Sequence, residues 1–144
     1  MNAELNQVMS SFFTSSRKNR QNLRKADKYI IIDDDEDTIL FLTKVISSSK
    51  RQVASCGDIK SAKELLSRED KGNIACVVID YYLPDGFGTE ICEWLRKEYP
   101  AVPMFVYTSD SAIAEIIADV TPYATPVTKG QTADDVRTML CIKD

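Results

Sequence analysis

The sequence predicts a doubly wound α/β fold, a parallel sheet with helices packed on both faces. Short apolar runs alternate with stretches whose apolar residues recur at helical spacing. The connections between them are short, as in chains of strand–helix units. Polar groups capable of chemistry appear where successive apolar runs stop, and in such sheets those ends gather at one ligand-binding edge.

Tyr29–Ile32 reads as the first strand, followed by a helix over Thr38–Ser48 with Ile39, Leu42, Val45 and Ile46 on one side. Gln52–Ser55 is a short strand, and Ile59–Arg68 a helix carrying Ile59, Ala62, Leu65 and Leu66. Ile74–Ile79 is the most apolar run, which predicts a central strand covered on both faces. The helix over Thr89–Glu98 turns Ile91, Cys92 and Leu95 inward and stops at Tyr99-Pro100, because proline disfavours a helical residue before it. Pro103–Tyr107 is the fourth strand, and Ser111–Asp119 a helix with Ile113, Ile116, Ile117 and Val120 as its apolar residues. Pro126–Thr128 is a weak fifth strand, and Ala133–Cys141 closes the chain with Val136, Met139 and Leu140 inward. The flavodoxin-like strand order 2-1-3-4-5 then puts strands one and three side by side at the topological switch point.

A length of 144 residues points to one domain. A basic extension over residues 1–27 precedes the body over residues 28–144. Residues 1–28 hold six Lys/Arg against Glu4 and Asp27, a net +4, which leaves −8 for the rest of a chain at −4 overall. An acidic body argues against a general nucleic-acid-binding surface, and the basic segment is too short to claim one. There is no histidine, so general-base, zinc-ligand and phosphohistidine roles for that side chain are excluded. Cys56, Cys76, Cys92 and Cys141 show no C-x-x-C spacing and read as reduced, mostly buried small hydrophobes, in keeping with a cytoplasmic protein. No apolar stretch approaches the roughly 20 residues of a membrane span, and no signal-peptide order is present.

The chemistry sits at the strand ends. The first strand delivers Asp33-Asp34-Asp35, the third Asp80, the fourth Thr108-Ser109, and the fifth Thr128-Lys129. Three carboxylates, a hydroxyl and an ammonium around one edge suit Mg²⁺-assisted phosphoryl chemistry on an aspartate. An acid triplet also suits a helix N-terminus, where it complements the dipole. The apolar run stops at Ile32, which favours Asp33/Asp34 as the working pair, with Asp34/Asp35 as the alternative register. Asp37 would cap the first helix or sit at its start.

In order and spacing, Asp33 and Asp34, Asp80, Thr108 and Lys129 resemble the receiver domain of two-component response regulators. The resemblance covers about residues 28–144. It implies phosphorylation of Asp80 by a sensor histidine kinase or a phosphotransfer protein. It implies Mg²⁺ held by Asp34 and Asp80, by Asp33 largely through water, and by the backbone carbonyl of Tyr82. Lys129 would pair with Asp80 and then with a phosphoryl oxygen; Thr108 would donate to that group once it is present, biasing two conformations. Pro84-Asp85-Gly86 resembles the family's turn after the acceptor, with chemistry that suits a turn in any case. The chain would be no enzyme towards outside substrates, though it would assist its own phosphorylation and dephosphorylation. It ends at Asp144 just after the last helix, so a stand-alone switch acting through a downstream protein, or a relay, is expected, with neither nucleic-acid binding nor membrane insertion. Dimerisation through the fourth-helix face is among the options the family implies.

The sequence departs from the family where many receivers carry an aromatic residue three before the lysine; here it is Pro126, with Tyr123 three residues earlier. Gly130 stands where most members have proline. These changes favour, as an alternative, a receiver fold that binds without phosphorylation. An aspartate-nucleophile phosphatase of the haloacid dehalogenase type is a weaker alternative, since its Asp-x-Asp-x-Thr/Val motif fails in both registers. Tyr82 and Asp110 are candidates for tuning the lifetime of a phosphoryl group. For the N-terminal segment, a frayed tail, an amphipathic docking helix and a membrane-surface helix all remain open.

Overall fold

The computed structural model describes residues 26–142. Strands β1 (Lys28–Ile32), β2 (Gln52–Cys56), β3 (Ile74–Asp80), β4 (Met104–Thr108) and β5 (Thr125–Thr128) form one parallel sheet in the order β2-β1-β3-β4-β5. This is the predicted order, and β3 lies at its centre. Helices α1 (Glu36–Ile46), α2 (Ile59–Arg68), α3 (Gly88–Glu98), α4 (Ser111–Val120) and α5 (Ala133–Met139) connect and close it. The N-terminal extension and its predicted amphipathic pattern lie outside the described residues.

The strands separate two cores. Ile30 and Ile32 of β1, Val77 and Ile79 of β3 and Val106 of β4 face α2, α3 and α4. Ile31, Val78, Phe105, Tyr107 and Val127 face α1 and α5. Burying such side chains stabilises the fold by about 1.5–3 kcal/mol each. β3 carries an irregularity: Lys28 pairs with Ile74 but Tyr29 pairs with Cys76. The skipped Ala75 behaves as a bulge, and it lets Ile74 join the same core as Val77.

Helix boundaries differ from expectation by a residue or two, and polar caps explain the largest difference. α1 begins at Glu36, two residues early, because Asp35 caps it by accepting from the Thr38 N–H. Asp37 sits in its first turn. On α4 only Ile117 is fully buried; Ile116 and Val120 face outward. On α5 Val136 and Leu140 are buried, but Met139 is 37% exposed because α5 stops there and the chain turns. Cys76 and Cys92 are buried, Cys56 is partly so and Cys141 is exposed; all four are free thiols. Burial raises the Cys76 and Cys92 thiols to about 12.

Cys141 closes α5 in a left-handed conformation, φ 58°. Its N–H donates to the Thr138 carbonyl, and that of Ile142 to the Arg137 carbonyl. This is a Schellman stop with cysteine where glycine is ordinarily found. Cys141→Gly is therefore expected to stabilise the protein by roughly 0.5–1 kcal/mol, because glycine adopts positive φ without a Cβ clash. Urea denaturation of both proteins measures the difference.

Candidate functional site

The C-terminal ends of β1, β3, β4 and β5 bring the predicted residues to one edge. β1 ends at Ile32 and places Asp33 and Asp34 just beyond it; β3 ends with Asp80 itself. Ligand oxygens of Asp33, Asp34 and Asp80 lie within 4.8 Å of one another. Asp33 is 1% exposed, Asp80 9%, and Asp34 faces solvent. Asp35 does not join them, since its carboxylate binds the N–H and hydroxyl of Thr38, at 3.1 and 2.6 Å. Those bonds hold its carboxyl below the ordinary carboxylate range. The structure thus groups Asp33, rather than Asp35, with Asp34.

Lys129 follows β5, and its backbone N–H donates to the Thr108 carbonyl at 2.8 Å, which extends the β4–β5 ladder to the site. Its ammonium lies 3.1 Å from Asp33 Oδ2 and 3.5 Å from Asp80 Oδ1. The sequence pointed to Asp80 as its partner; the closer contact is to Asp33. Burial pulls the ammonium down, yet Asp33 and Asp80 more than offset that, and its pKa is raised overall. Burial pushes Asp80 up to about 6, with the charges of Asp33 and Asp34 adding to it and Lys129 opposing.

Thr108 ends β4, one residue beyond the Tyr107 that pairs with Asp80, and it is 1% exposed. Its hydroxyl oxygen accepts from the Asp110 N–H at 3.1 Å, a bond that leaves the hydroxyl hydrogen unused. Asp110 is the cap of α4, accepting from the Ala112 and Ile113 N–H groups. Tyr82 is half exposed, and its hydroxyl donates to Asp110 Oδ2 at 3.4 Å. The two candidates for tuning thus meet across the ends of β3 and β4. Tyr82 also packs edge-on against Tyr81, with centroids 4.7 Å apart, and approaches Phe87.

The loop after Asp80 is held by contacts that the sequence did not disclose. Tyr82–Leu83 and Gly86–Phe87 form a two-residue hairpin. Asp85 at its tip accepts from the Ile59 and Lys60 N–H groups of α2, at 2.8 and 3.1 Å. It supplements the cap that Asp58 gives the Ser61 N–H. Asp85 lies 26 residues from Ile59, so no local pattern announces this role. Gly88 opens α3 against the acceptor: a Cβ there would collide with the carbonyl oxygen of Asp80. Its signal was visible as a glycine at the start of a helix just after the acceptor strand.

The two departures noted in the sequence take definite forms. Gly130 has φ 97°, which proline cannot adopt, so the turn after Lys129 needs glycine. Pro126 lies on β5 opposite Val106. Tyr123 packs towards the α2–α4 core with the Arg96 guanidinium 4.7 Å above its ring. Beside Lys129 a cleft of about 300 Å³ opens between α1 and this turn, lined by Asp35, Asp37, Phe41, Tyr107 and Gly130 among others.

Comparison with known proteins gives a consistent result. A family model described as the response regulator receiver domain matches residues 29–139. The chain is 29% identical over 122 residues to the response regulator protein PilR of Pseudomonas aeruginosa, covering 81% of this chain and 27% of PilR. It is 30% identical over 112 residues to the photosynthetic apparatus regulatory protein RegA of Rhodovulum sulfidophilum, covering 77% of this chain and 60% of RegA. The chain therefore spans less than two thirds of these relatives. Among solved structures, the signal receiver domain of an HD domain-containing protein from Pseudomonas fluorescens superposes with TM-score 0.69 at 18% identity, covering 81% of this chain and 85% of that one. The beryllofluoride-activated NtrC4 receiver domain dimer gives 0.68 at 14%, covering 79% and 93%. At these identities the structural likeness speaks to the fold.

Proposed function

Because the chain belongs to the response regulator receiver domain family of two-component systems, we propose that it is a phospho-acceptor switch working through Asp80. The carrying observation is the convergence of Asp33, Asp34 and Asp80 at one sheet edge, with Lys129 bridging two of them. The phosphoryl group would come from a phosphohistidine on a sensor kinase or phosphotransfer protein. A carboxylate oxygen of Asp80 forms the new P–O bond as the P–N bond breaks, and the donor imidazole takes up a proton.

Hard oxygen donors clustered this tightly fit Mg²⁺, which would be held by Asp33, Asp34, Asp80 and the Tyr82 carbonyl and, when bound, supplies positive charge beside the phosphoryl oxygens. Lys129 neutralises a further oxygen and, before transfer, holds Asp33 and Asp80 in place. Thr108 has a hydroxyl hydrogen to donate to the new group. That bond exists only in the phosphorylated state, so it can shift a two-state equilibrium around β4 and α4. The output would be a contact with a downstream protein in the cytoplasm. Among the described residues no helix is long and apolar enough to cross a membrane.

The test is intact mass after incubation with Mg²⁺ and acetyl phosphate, for the wild type and Asp80→Ala. Addition of one phosphoryl group to the wild type alone is expected. No addition, together with no Mg²⁺ binding, would replace this reading with a receiver fold that binds without phosphorylation. Tyr82 bears on the lifetime of the group: it stands two residues after the acceptor, with its hydroxyl on Asp110, and there its bulk would hinder an in-line water. Tyr82→Asn is expected to speed loss of phosphate several-fold, followed by the decay of the phosphorylated mass; unchanged or slower decay refutes the steric role.

A further inference from the structure

Helix α4 presents an uncovered ridge among the described residues. Ala112, Ile116 and Val120 follow one another at steps of four, all exposed, Ile116 by 52% and Val120 by 68%. Glu115 and Asp119, also exposed, run alongside. Singly exposed apolar residues are normal, but an apolar ridge edged by charges of one sign suits a partner with an apolar face and the opposite charge.

The chain itself carries such a partner. Leu5, Val8, Met9, Phe12 and Phe13 have the spacing of one helix face. Arg17, Lys18, Arg20, Arg24 and Lys25 follow, and with Glu4 counted residues 1–25 carry a net +4. These residues lie outside the described ones, but their point of attachment does not. The Lys28 ammonium pairs with Glu69 at 2.7 Å, just past the end of α2. α2 and α4 cover the same face of the sheet, where Leu66 and Ile117 share one core. A crossover helix runs antiparallel to its strands, so the Val120 end of α4 lies at the edge where β1 begins. β1 and β4 are two strands apart, about 10 Å, and the dozen residues between Phe13 and Ala26 reach up to about 40 Å.

We propose that residues 5–25 dock in cis on the α4 ridge, with the apolar residues of 5–13 over Ile116 and Val120 and the basic run against Glu115 and Asp119. Hydrogen exchange with mass readout on the full chain tests this. Three proteins are compared: the wild type, Leu5→Asp/Phe12→Asp/Phe13→Asp, and Ile116→Lys/Val120→Lys. Residues 5–13 and α4 should be protected in the wild type. Each variant should raise exchange in the other segment by about tenfold or more. High salt should do so more weakly, and Glu115→Lys/Asp119→Lys more strongly than salt.

Exchange of residues 5–13 at the free-chain rate in the wild type, or indifference of α4 to the N-terminal variant, overturns the proposal. Protection that rises with protein concentration, with a dimer in sedimentation, transfers the ridge to a second copy and also overturns docking in cis. Ile116 and Val120 are surface residues, so β3 should keep its protection in their variant. Should β3 lose it, the N-terminal variant decides, since it alters no described residue.

Discussion

Asp80→Asn is expected to make the Mg²⁺-free protein more stable, by about 2 kcal/mol at neutral to alkaline pH. Burial, with Asp33 and Asp34 adding to it, raises the Asp80 carboxyl from an ordinary 3.8 to about 6 in the folded chain. A folded-state value above the unfolded one means that the native protein holds the proton more tightly between them. Stability is therefore lost as pH rises from about 4 to about 6, by about 1.4 kcal/mol for each pH unit crossed. Asparagine has the shape of the protonated acid and never ionises, so it escapes this loss; the attraction of Lys129 is already contained in the value of about 6, and water reaching the carboxyl trims the gain to about 2 kcal/mol. The advantage of Asp80→Asn should be near zero at about pH 4 and fully developed above about pH 7. Urea unfolding across that range in the presence of EDTA measures it. A constant difference at every pH would mean that Asp80 is not held in a buried, like-charged cluster. Added Mg²⁺ should stabilise the wild type and reduce the gap.

Lys129→Met should have the opposite sign. It removes the cation that contacts both Asp33 and Asp80, at 3.1 and 3.5 Å, while Asp33 stays 1% exposed. Breaking a fully buried pair costs about 3–5 kcal/mol. The Lys129 side chain is 21% exposed, so solvent screening lowers the expected loss to about 2 kcal/mol in Mg²⁺-free buffer. Asp80 should then titrate still higher than about 6, because the group opposing its rise is gone. Phosphoryl acceptance from acetyl phosphate should fall steeply even with Mg²⁺ present. Urea midpoints and the rate of mass increase give the two readouts. Lys129→Arg, which keeps the charge, should recover more of the stability than of the transfer rate, since a planar guanidinium is a poor copy of an ammonium.

Much of this was legible in the sequence because it rested on periodicity. The strand order followed from five strand–helix units and the wholly apolar Ile74–Ile79 run. The candidate site residues were legible because each stands where a predicted strand stops, and a strand end fixes where the next side chains go. Side-chain competition was not legible. Three consecutive acids look equivalent in sequence; Thr38 is what draws Asp35 away into a cap. Nor can helical spacing say how wide a buried stripe is: Ile113, Ile116, Ile117 and Val120 all fit one face of α4, yet Ile117 alone is deeply buried. Met139 fits the inward pattern of α5 but falls where that helix stops. Contacts far apart in sequence, such as Asp85 with Ile59, leave no local trace.

The Asp85 contact gives the acceptor loop a clock. Any excursion of the loop must either release the Ile59 and Lys60 amides or carry the start of α2 with it. If the amides are released, their hydrogens exchange at the frequency of loop opening while Ser61, held by Asp58, stays protected; if the start of α2 is carried along, all three stay protected through the excursion, and only fraying of that end exposes Ser61 together with them. Three neighbouring amides thus distinguish a hinge confined to the loop from a displacement that spreads across the face of the sheet.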